Sequence, residues 1–390
     1  MALTTTPSRA AASWDTELSA AIPEAKAPLL FFGQEATPTL KLLFDNKKTE
    51  PFGPDAKWRQ NFAHDSYDVH AAPGENIRYD LEDIDPVSSL EYGTKIMYVA
   101  ASTNKFEVNR YKNTSRSMFD LAKLKVGLMQ LGLTHVMNWL LFSKWSDTTE
   151  PIIGNSINLN TVLSSKRVLP NVYFKSITKH SDKINSIPML SRKHVTGHTL
   201  GNVASDNNMW QPYNLDAPSA TVTRDTTAWA SGSHEQTDMV TAIANPEDLS
   251  YSDIEDFLMT LCVGSGHEYV AICPAKLYGV VYSYLKGMTQ RSPRDEYMLD
   301  LGIGGPITDP QFDVTYYVDP QMTAMWPNSI FFIDYNHVFL VCEEGFAPDI
   351  DPWTQIPSTN VMGTMSTWSM NLATDDRANG IAAMHGWQAA

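Results

Sequence analysis

The longest regular pattern of apolar positions in the chain runs from Ser115 to Trp145. Phe119, Leu121, Ala122, Leu124, Val126, Leu128, Met129, Leu131, Leu133, Val136, Met137 and Leu140 recur at helical three-and-four spacing without an internal proline, which predicts one long helix. Ser115 or Ser117 suits its N-cap, where a hydroxyl accepts from an otherwise orphan backbone N–H, and Lys144 stands near the carbonyl end. At about 1.5 Å per residue such a helix spans roughly 40 Å, enough to cross a domain as a strut. Gly127 and Gly132 each weaken it by up to about 1 kcal/mol relative to alanine, so packing must compensate.

The pattern on either side is different. Residues 1–62 read as an arm, because Pro7, Pro23, Pro28, Pro38, Pro51 and Pro54 interrupt every short apolar cluster, including Leu29–Phe32 and Leu40–Phe44, before a helix can mature. An arm this apolar is expected to lie across another surface. Residues 63–112 predict an extended hairpin: Ile77, Tyr79 and Leu81 alternate with charged residues, and Ile96–Val99 and Lys105–Lys112 are β-rich. Beyond the long helix, residues 146–245 are rich in Asn, Ser and Thr, with scattered strands such as Asn171–Ile177. A helical pattern resumes over Glu247–Cys262, Tyr269–Cys273 reads as a short buried strand, and Pro274 opens a second helix through Leu285. After the glycine-rich turn Gly302–Gly305, strands are expected over Phe312–Val318 and Ile330–Cys342. Helix, strand, helix, then a run of strands indicates an α+β fold.

Composition adds bounds. A chain of 390 residues that is 43 % hydrophobic with ten tryptophans is globular and has room for two or three domains. It contains no run of eighteen apolar residues, and Met1–Arg9 lacks the charged region and apolar stretch of a signal peptide, so a soluble product made in a cytoplasm is expected. Cys262, Cys273 and Cys342 are odd in number and embedded in apolar sequence, which suits core thiols rather than disulfides or a zinc site.

The net charge of −15 argues against wrapping nucleic acid directly, since phosphate binding needs clustered Lys and Arg. It is also unevenly spread. Asp65, Asp68, Glu75, Asp80, Glu82, Asp83, Asp85 and Glu91 face a single base, Arg78, in one block, whereas residues 161–201 carry Lys166, Arg167, Lys175, Lys179, Lys183, Arg192 and Lys193 against Asp182. Such opposed blocks are solvated faces or the two halves of a self-association surface.

No motif reaches the strength of a catalytic signature. His194-Val195-Thr196-Gly197-His198 lacks the glutamate of a metalloprotease helix, and Asp80, Glu82, Asp83 and Asp85 lack the glycine and bidentate glutamate of a calcium loop. Gly264-Ser265-Gly266-His267 is not a nucleophile elbow, and Gly302-Ile303-Gly304-Gly305 leads into Pro306 rather than a helix N-terminus. Asn113-Thr114-Ser115 matches the glycosylation triplet, without meaning for a cytoplasmic product. Trp353, Met362, Met365, Trp368 and Met370 suit a core or a subunit contact. No catalytic, cofactor-binding or metal residue is expected.

From Asn245 to Phe346 the order of features resembles the major capsid proteins of tailed bacteriophages. The resembling pieces are a helix over Asp253 to Cys262, the strand and turn Tyr269-Val270-Ala271-Ile272-Cys273-Pro274 running into the helix to Leu285, Val318-Asp319-Pro320, and Asn328-Ser329-Ile330-Phe331-Phe332-Ile333-Asp334. Pro188-Met189-Leu190-Ser191-Arg192 and Trp210-Gln211-Pro212 also look like one subgroup of those coat proteins. The resemblance implies the α+β tailed-phage coat-protein fold: an N-terminal arm (1–62), an extended loop (63–112), a peripheral domain with its spine helix (113–149), an axial domain (150–306), further peripheral strands (307–345) and a C-terminal axial part (346–390). It implies a non-enzymatic subunit without cofactor that assembles through hexamers and pentamers into an icosahedral shell around the phage genome. The implied partners are copies of itself, a separate scaffolding protein, a portal and a maturation protease. The shell would enclose DNA without binding it specifically, touch no membrane, and form in the host cytoplasm before ending in the virion. Some members crosslink a loop lysine to an asparagine, but nothing singles out Lys95 or Lys105 for this. Subunit contacts are expected between the acidic hairpin, Asp80, Glu82, Asp83 and Asp85, and a basic surface including Lys166, Arg167 and Lys175. The rival readings are a hydrolase built on Ser265 and His267, and a virion attachment protein, against which the long helix after a hairpin argues.

Overall fold

The computed structural model describes residues 38–51, 57–63, 87–104, 115–142, 184–192, 199–200, 203–204, 210–225, 239–262, 266–289, 306–344, 350–355 and 360–389. The long helix forms over Ser115–Phe142, 28 residues. Val126, Met129, Leu133, Val136, Met137 and Leu140 make its buried stripe, as their spacing requires. Toward its C-terminus Trp139, Leu141 and Phe142 are buried as well, so this end is enclosed on all sides.

The helix shares a core with a five-stranded sheet. Its centre is Val361–Thr374, a strand of 14 residues. One edge pairs antiparallel with Val338–Glu343 and with Thr354–Gln355. The other edge pairs with Lys95–Asn104, from Met370↔Lys95 to Val361↔Asn104. Lys48–Glu50 adds a parallel strand beside Val338–Glu343. Leu340, Cys342, Trp368, Met370 and Leu372 of this sheet pack with Met137, Leu140 and Leu141 of the helix in one cluster.

A second, six-stranded sheet has the order Ile307–Asp309, Val314–Val318, Val270–Cys273, Ser329–Ile333, Ile381–His385, Tyr213–Asp216. The Ser329–Ile333 and Ile381–His385 strands are buried throughout, and the alternation of strand side chains explains their continuous apolar runs. Ile330, Phe332, Ala382 and Met384 join a core with the helices Tyr251–Cys262 and Ala275–Thr289, whereas Phe331, Ile333, Ile381 and Ala383 join the core of the long helix. One sheet therefore separates and serves two cores.

Several expectations change. Pro38 does not stop a helix but begins one, Pro38–Asp45, whose Leu40 and Leu43 are fully buried in the main core. Proline is tolerated in the first turn because the N–H it lacks has no partner there in any case. Glu247–Asp248 is not helical but pairs with Trp387–Gln388; the helix starts at Tyr251, where Ser250 and Asp253 bond reciprocally as a capping box. The helix opened by Pro274 runs to Thr289 rather than Leu285. The expected Ile330–Cys342 strand is two strands in two sheets, divided by a turn in which the His337 and Val338 N–H groups donate to the Asp334 carbonyl. Ile307–Asp309 and Val314–Val318 extend the sheet of Val270–Cys273, so a boundary at 306/307 coincides with no change of sheet. The hairpin root pairs Lys57–Ala63 with Val87–Gly93, earlier in the chain than residue 63. Ile77, Tyr79, Leu81, the Lys105–Lys112 run, Asn171–Ile177 and the Gly302–Gly305 turn lie outside the described residues.

Candidate functional site

In the Lys95–Asn104 strand, alternate side chains point to opposite sides. Met97 and Val99 pack on the main core, while Ile96 and Tyr98 face outward with 67 % and 66 % of their surface exposed. Across the ladder, Tyr98 stands opposite Thr367 and Ala100 opposite Met365, itself 41 % exposed. The result is an outward apolar strip on a ten-residue strand. No described strand pairs with its outer edge. Soluble monomers normally shorten, twist or charge such an edge, because its backbone groups and apolar side chains invite another chain. Beside it, Lys125 of the long helix donates from Nζ to the Ser102 carbonyl at 2.9 Å, and the flanking Leu124 and Leu128 are 60 % and 53 % exposed. These leucines are four residues apart and so lie on one helix face.

Buried polar residues hold this surface in place. Asp319 caps the Pro320–Met325 helix through Gln321 N–H, and also accepts from the Thr39 hydroxyl at 2.8 Å and Asn138 Nδ2 at 3.1 Å. It thus ties the arm helix and the long helix to the end of a strand of the six-stranded sheet. Burial raises its pKa from the ordinary aspartate value, although the Thr39 and Asn138 hydrogen bonds pull the other way. Trp326 Nε1 donates to the Phe142 carbonyl at 2.8 Å, satisfying one orphan acceptor at the end of the long helix. Arg377 is fully buried and donates to the carbonyls of Leu190, Arg192 and Trp210, joining two segments distant in sequence. Burial, reinforced by the nearby Arg192 charge, lowers its pKa to about 9. At the hairpin root, Trp58 and Tyr92 pack on Phe339 of the five-stranded sheet.

The contact residues expected from charge, Asp80, Glu82, Asp83, Asp85, Lys166, Arg167 and Lys175, lie outside the described residues, as do His194, His198 and Ser265. Of the acidic block, Glu91 alone is described. It bonds Lys57 at 2.6 Å and Arg59 at 3.0 Å on the paired strand, and those two hydrogen bonds lower its pKa. His267 is held by Asp334, Nδ1 to Oδ2 at 2.7 Å. Among the described residues, one group of potential metal ligands comes together: His267, Asp334 and His337. Residues 267 and 334 are adjacent only in the fold, so the sequence does not show the group; the turn sequence Asp334-Tyr335-Asn336-His337 is its one local signal. The exposed strip was equally hidden, since Ile96 and Tyr98 look like ordinary strand residues until their side of the sheet is known. The thiols are free, as expected, with Cys273 and Cys342 buried. Burial raises the pKa of Cys342 to about 11, which leaves an unreactive thiol.

No protein-family model matches the sequence, and no curated protein matches it. Solved structures do match, along nearly the whole chain. The capsid asymmetric unit of cyanophage A-1(L) aligns with a TM-score of 0.53 at 9 % identity, covering 90 % of this chain and 93 % of that one. At lower TM-scores of 0.43, the capsid of a native GTA particle aligns at 9 % identity over 89 % of this chain and 90 % of its own. The cyanophage Pam1 capsid asymmetric unit does so at 10 % identity over 88 % and 92 %. The mixed sheets, the long helix and the near-complete alignment to the A-1(L) subunit together establish that this chain has the fold of a tailed-phage capsid protein.

Proposed function

We propose that the chain is a major capsid protein whose work is self-assembly, through pentamers and hexamers, into a closed icosahedral shell around a phage genome. The observation that carries this reading is the alignment to a solved capsid subunit over nine-tenths of both chains. The exposed strip of Ile96, Tyr98 and Met365, beside a strand edge that no other described strand pairs with, supports it, as a surface that a neighbouring copy would cover. At about 25 cal/mol per Å² even a modest apolar contact is favourable, and closed symmetry repeats it around every ring. In this reading the five-stranded sheet with the long helix is the peripheral part and the six-stranded sheet with its two helices the axial part, which moves Ile307–Asp309, Val314–Val318 and Ser329–Ile333 to the axial part and Val361–Thr374 to the peripheral part, against the expected bounds 307–345 and 346–390. The acidic hairpin, with Asp80, Glu82, Asp83 and Asp85, guides register against a basic surface of the neighbour that includes Lys166, Arg167 and Lys175. Neither catalysis nor a cofactor belongs to this role. An acidic inner wall would let enclosed DNA slide rather than adhere. A separate scaffolding protein, a portal and a maturation protease are the partners such assembly calls for, with the host cytoplasm as its setting and the virion its product.

The test is size-exclusion chromatography with light scattering, on the chain expressed alone and together with its neighbouring genes. Masses of five or six chains, or of whole shells, support the reading. A stable monomer in every case contradicts it and moves attention to hydrolysis at Ser265 and His267. Trimers that only decorate a pre-existing shell would indicate an attachment protein.

A further inference from the structure

The chain crosses between its two sheets at two turns that lie against each other. One is the Asp334–His337 turn between Ser329–Ile333 and Val338–Glu343; the other begins at Asp375, after Val361–Thr374, and leads through Arg377–Gly380 to Ile381–His385. The Asp334 N–H donates to the Gly380 carbonyl at 2.8 Å and the Asp375 N–H to the His337 carbonyl at 3.2 Å, so backbone bonds fix one turn on the other. His267, entering just before Val270–Cys273, completes the junction.

Two imidazoles and three carboxylates converge there. The His267 and His337 rings stand 4.7 Å apart, edge to face. One ligand atom from each of His267, Asp334 and His337 lies within 4.8 Å of the others. His337 Nδ1 bonds Asp375 Oδ1 at 2.8 Å, and His267 Nε2 lies 3.9 Å from Asp376 Oδ2. Asp375 also faces Lys48 at 3.5 Å, and Asp334 Oδ1 is held by the Asn336 N–H at 2.9 Å.

We propose that His267, Asp334 and His337 bind a divalent transition-metal ion, with Zn2+ the best chemical match, and that the ion fastens the junction of the two sheets. Two imidazole nitrogens with one carboxylate oxygen suit Zn2+, Co2+ or Ni2+, whereas Ca2+ and Mg2+ prefer all-oxygen shells. The ion takes the place of the proton now shared by His267 Nδ1 and Asp334 Oδ2. The imidazole proton then resides on Nε2, facing Asp376. His337 keeps its Nδ1 proton on Asp375 and offers Nε2 to the metal. His337 thus has a carboxylate hydrogen-bonded behind its other nitrogen, the arrangement that fixes tautomer and ring orientation in metal sites, and Asp376 stands 3.9 Å from the other nitrogen of His267. A tetrahedral ion with bonds of about 2.1 Å holds its ligands about 3.4 Å apart, so His267 Nδ1 and Asp334 Oδ2, now 2.7 Å apart, must separate slightly and the ring of His337, partly exposed, must turn inward to close the set. That exposure is also the route of entry. The proposal is independent of the shell reading, because the site lies within one chain.

The test titrates the full-length purified chain, freed of metal with a chelator, with Co2+ and then Zn2+. The expected result is visible Co2+ absorption saturating at one ion per chain, displaced by Zn2+, with a rise in Tm. His337→Ala should abolish both responses while leaving the Tm in chelator unchanged. Asp375→Asn, which removes the acceptor behind His337, should weaken Zn2+ binding by about 10- to 100-fold. The double variant His194→Ala/His198→Ala should bind as the parent does. Absence of Co2+ absorption in the parent, or its retention in His337→Ala, overturns the proposal, as does its loss in the His194/His198 variant alone.

Discussion

At the scale of single residues, Asp319 shows how a buried polar group specifies the fold. Its carboxylate receives Thr39, Asn138 and the Gln321 N–H, so Asp319→Ala strands three donors in the core. A loss of about 2–4 kcal/mol in urea unfolding is expected. Asp319→Asn keeps an acceptor for two of these donors and removes a buried charge, so its stability at neutral pH should equal or exceed that of the parent. The pH dependence has a definite sign. The folded-state pKa of Asp319 is raised, so its contribution is fully present below the unfolded pKa and is lost as pH rises through the folded value. Any advantage of Asp319→Asn should therefore be largest at neutral pH and shrink on acidification, as paired denaturation curves would show. Arg377→Met should cost about 2–4 kcal/mol by the same measurement, since the carbonyls of Leu190, Arg192 and Trp210 lose their shared donor. Val318-Asp319-Pro320 stood out in the sequence as a resemblance, but its physical role was not legible there, because Thr39 and Asn138 lie 280 and 181 residues away.

Among elements, the long helix was the most legible, since its buried stripe is written in the spacing of Val126, Met129, Leu133, Met137 and Leu140. The sequence is ambiguous where one residue type has two roles. Proline breaks a helix interior but starts a helix at Pro38, and the apolar stretch around Asp334 hides a turn whose Asp and Asn are common turn formers. The exposed strip was not legible at all, because exposure depends on which face of a sheet the core covers. Its proposed role predicts that Ile96→Asp or Tyr98→Asp leaves the chain folded, as circular dichroism and Tm would record, but impairs assembly. Losing a desolvated apolar anchor at each repeated contact should raise the concentration needed for assembly by about tenfold or more. An unchanged threshold in light scattering would show that the strip faces solvent in the assembled state. The hairpin carries a separate prediction: Glu82→Lys with Asp83→Lys should slow assembly in low salt, and the deficit should lessen as salt screens the contact.

For the whole molecule, the two sheets share one chain that crosses between them at adjacent turns, and the strands Ser329–Ile333 and Ile381–His385 present alternate residues to the two cores. The two sheets are thereby coupled within one chain, and Ile96, Tyr98 and Met365 stand exposed at an edge of one of them. In the proposed shell that arrangement divides the work, with order inside each subunit and affinity between subunits. Electron microscopy of the assembled product checks this division, because it reads symmetry as well as mass. Closed particles with five- and sixfold capsomers are expected, in which the outer edge of Lys95–Asn104 meets a neighbouring subunit. Monomers alone, or particles in which that edge and Ile96 and Tyr98 face solvent, would contradict it.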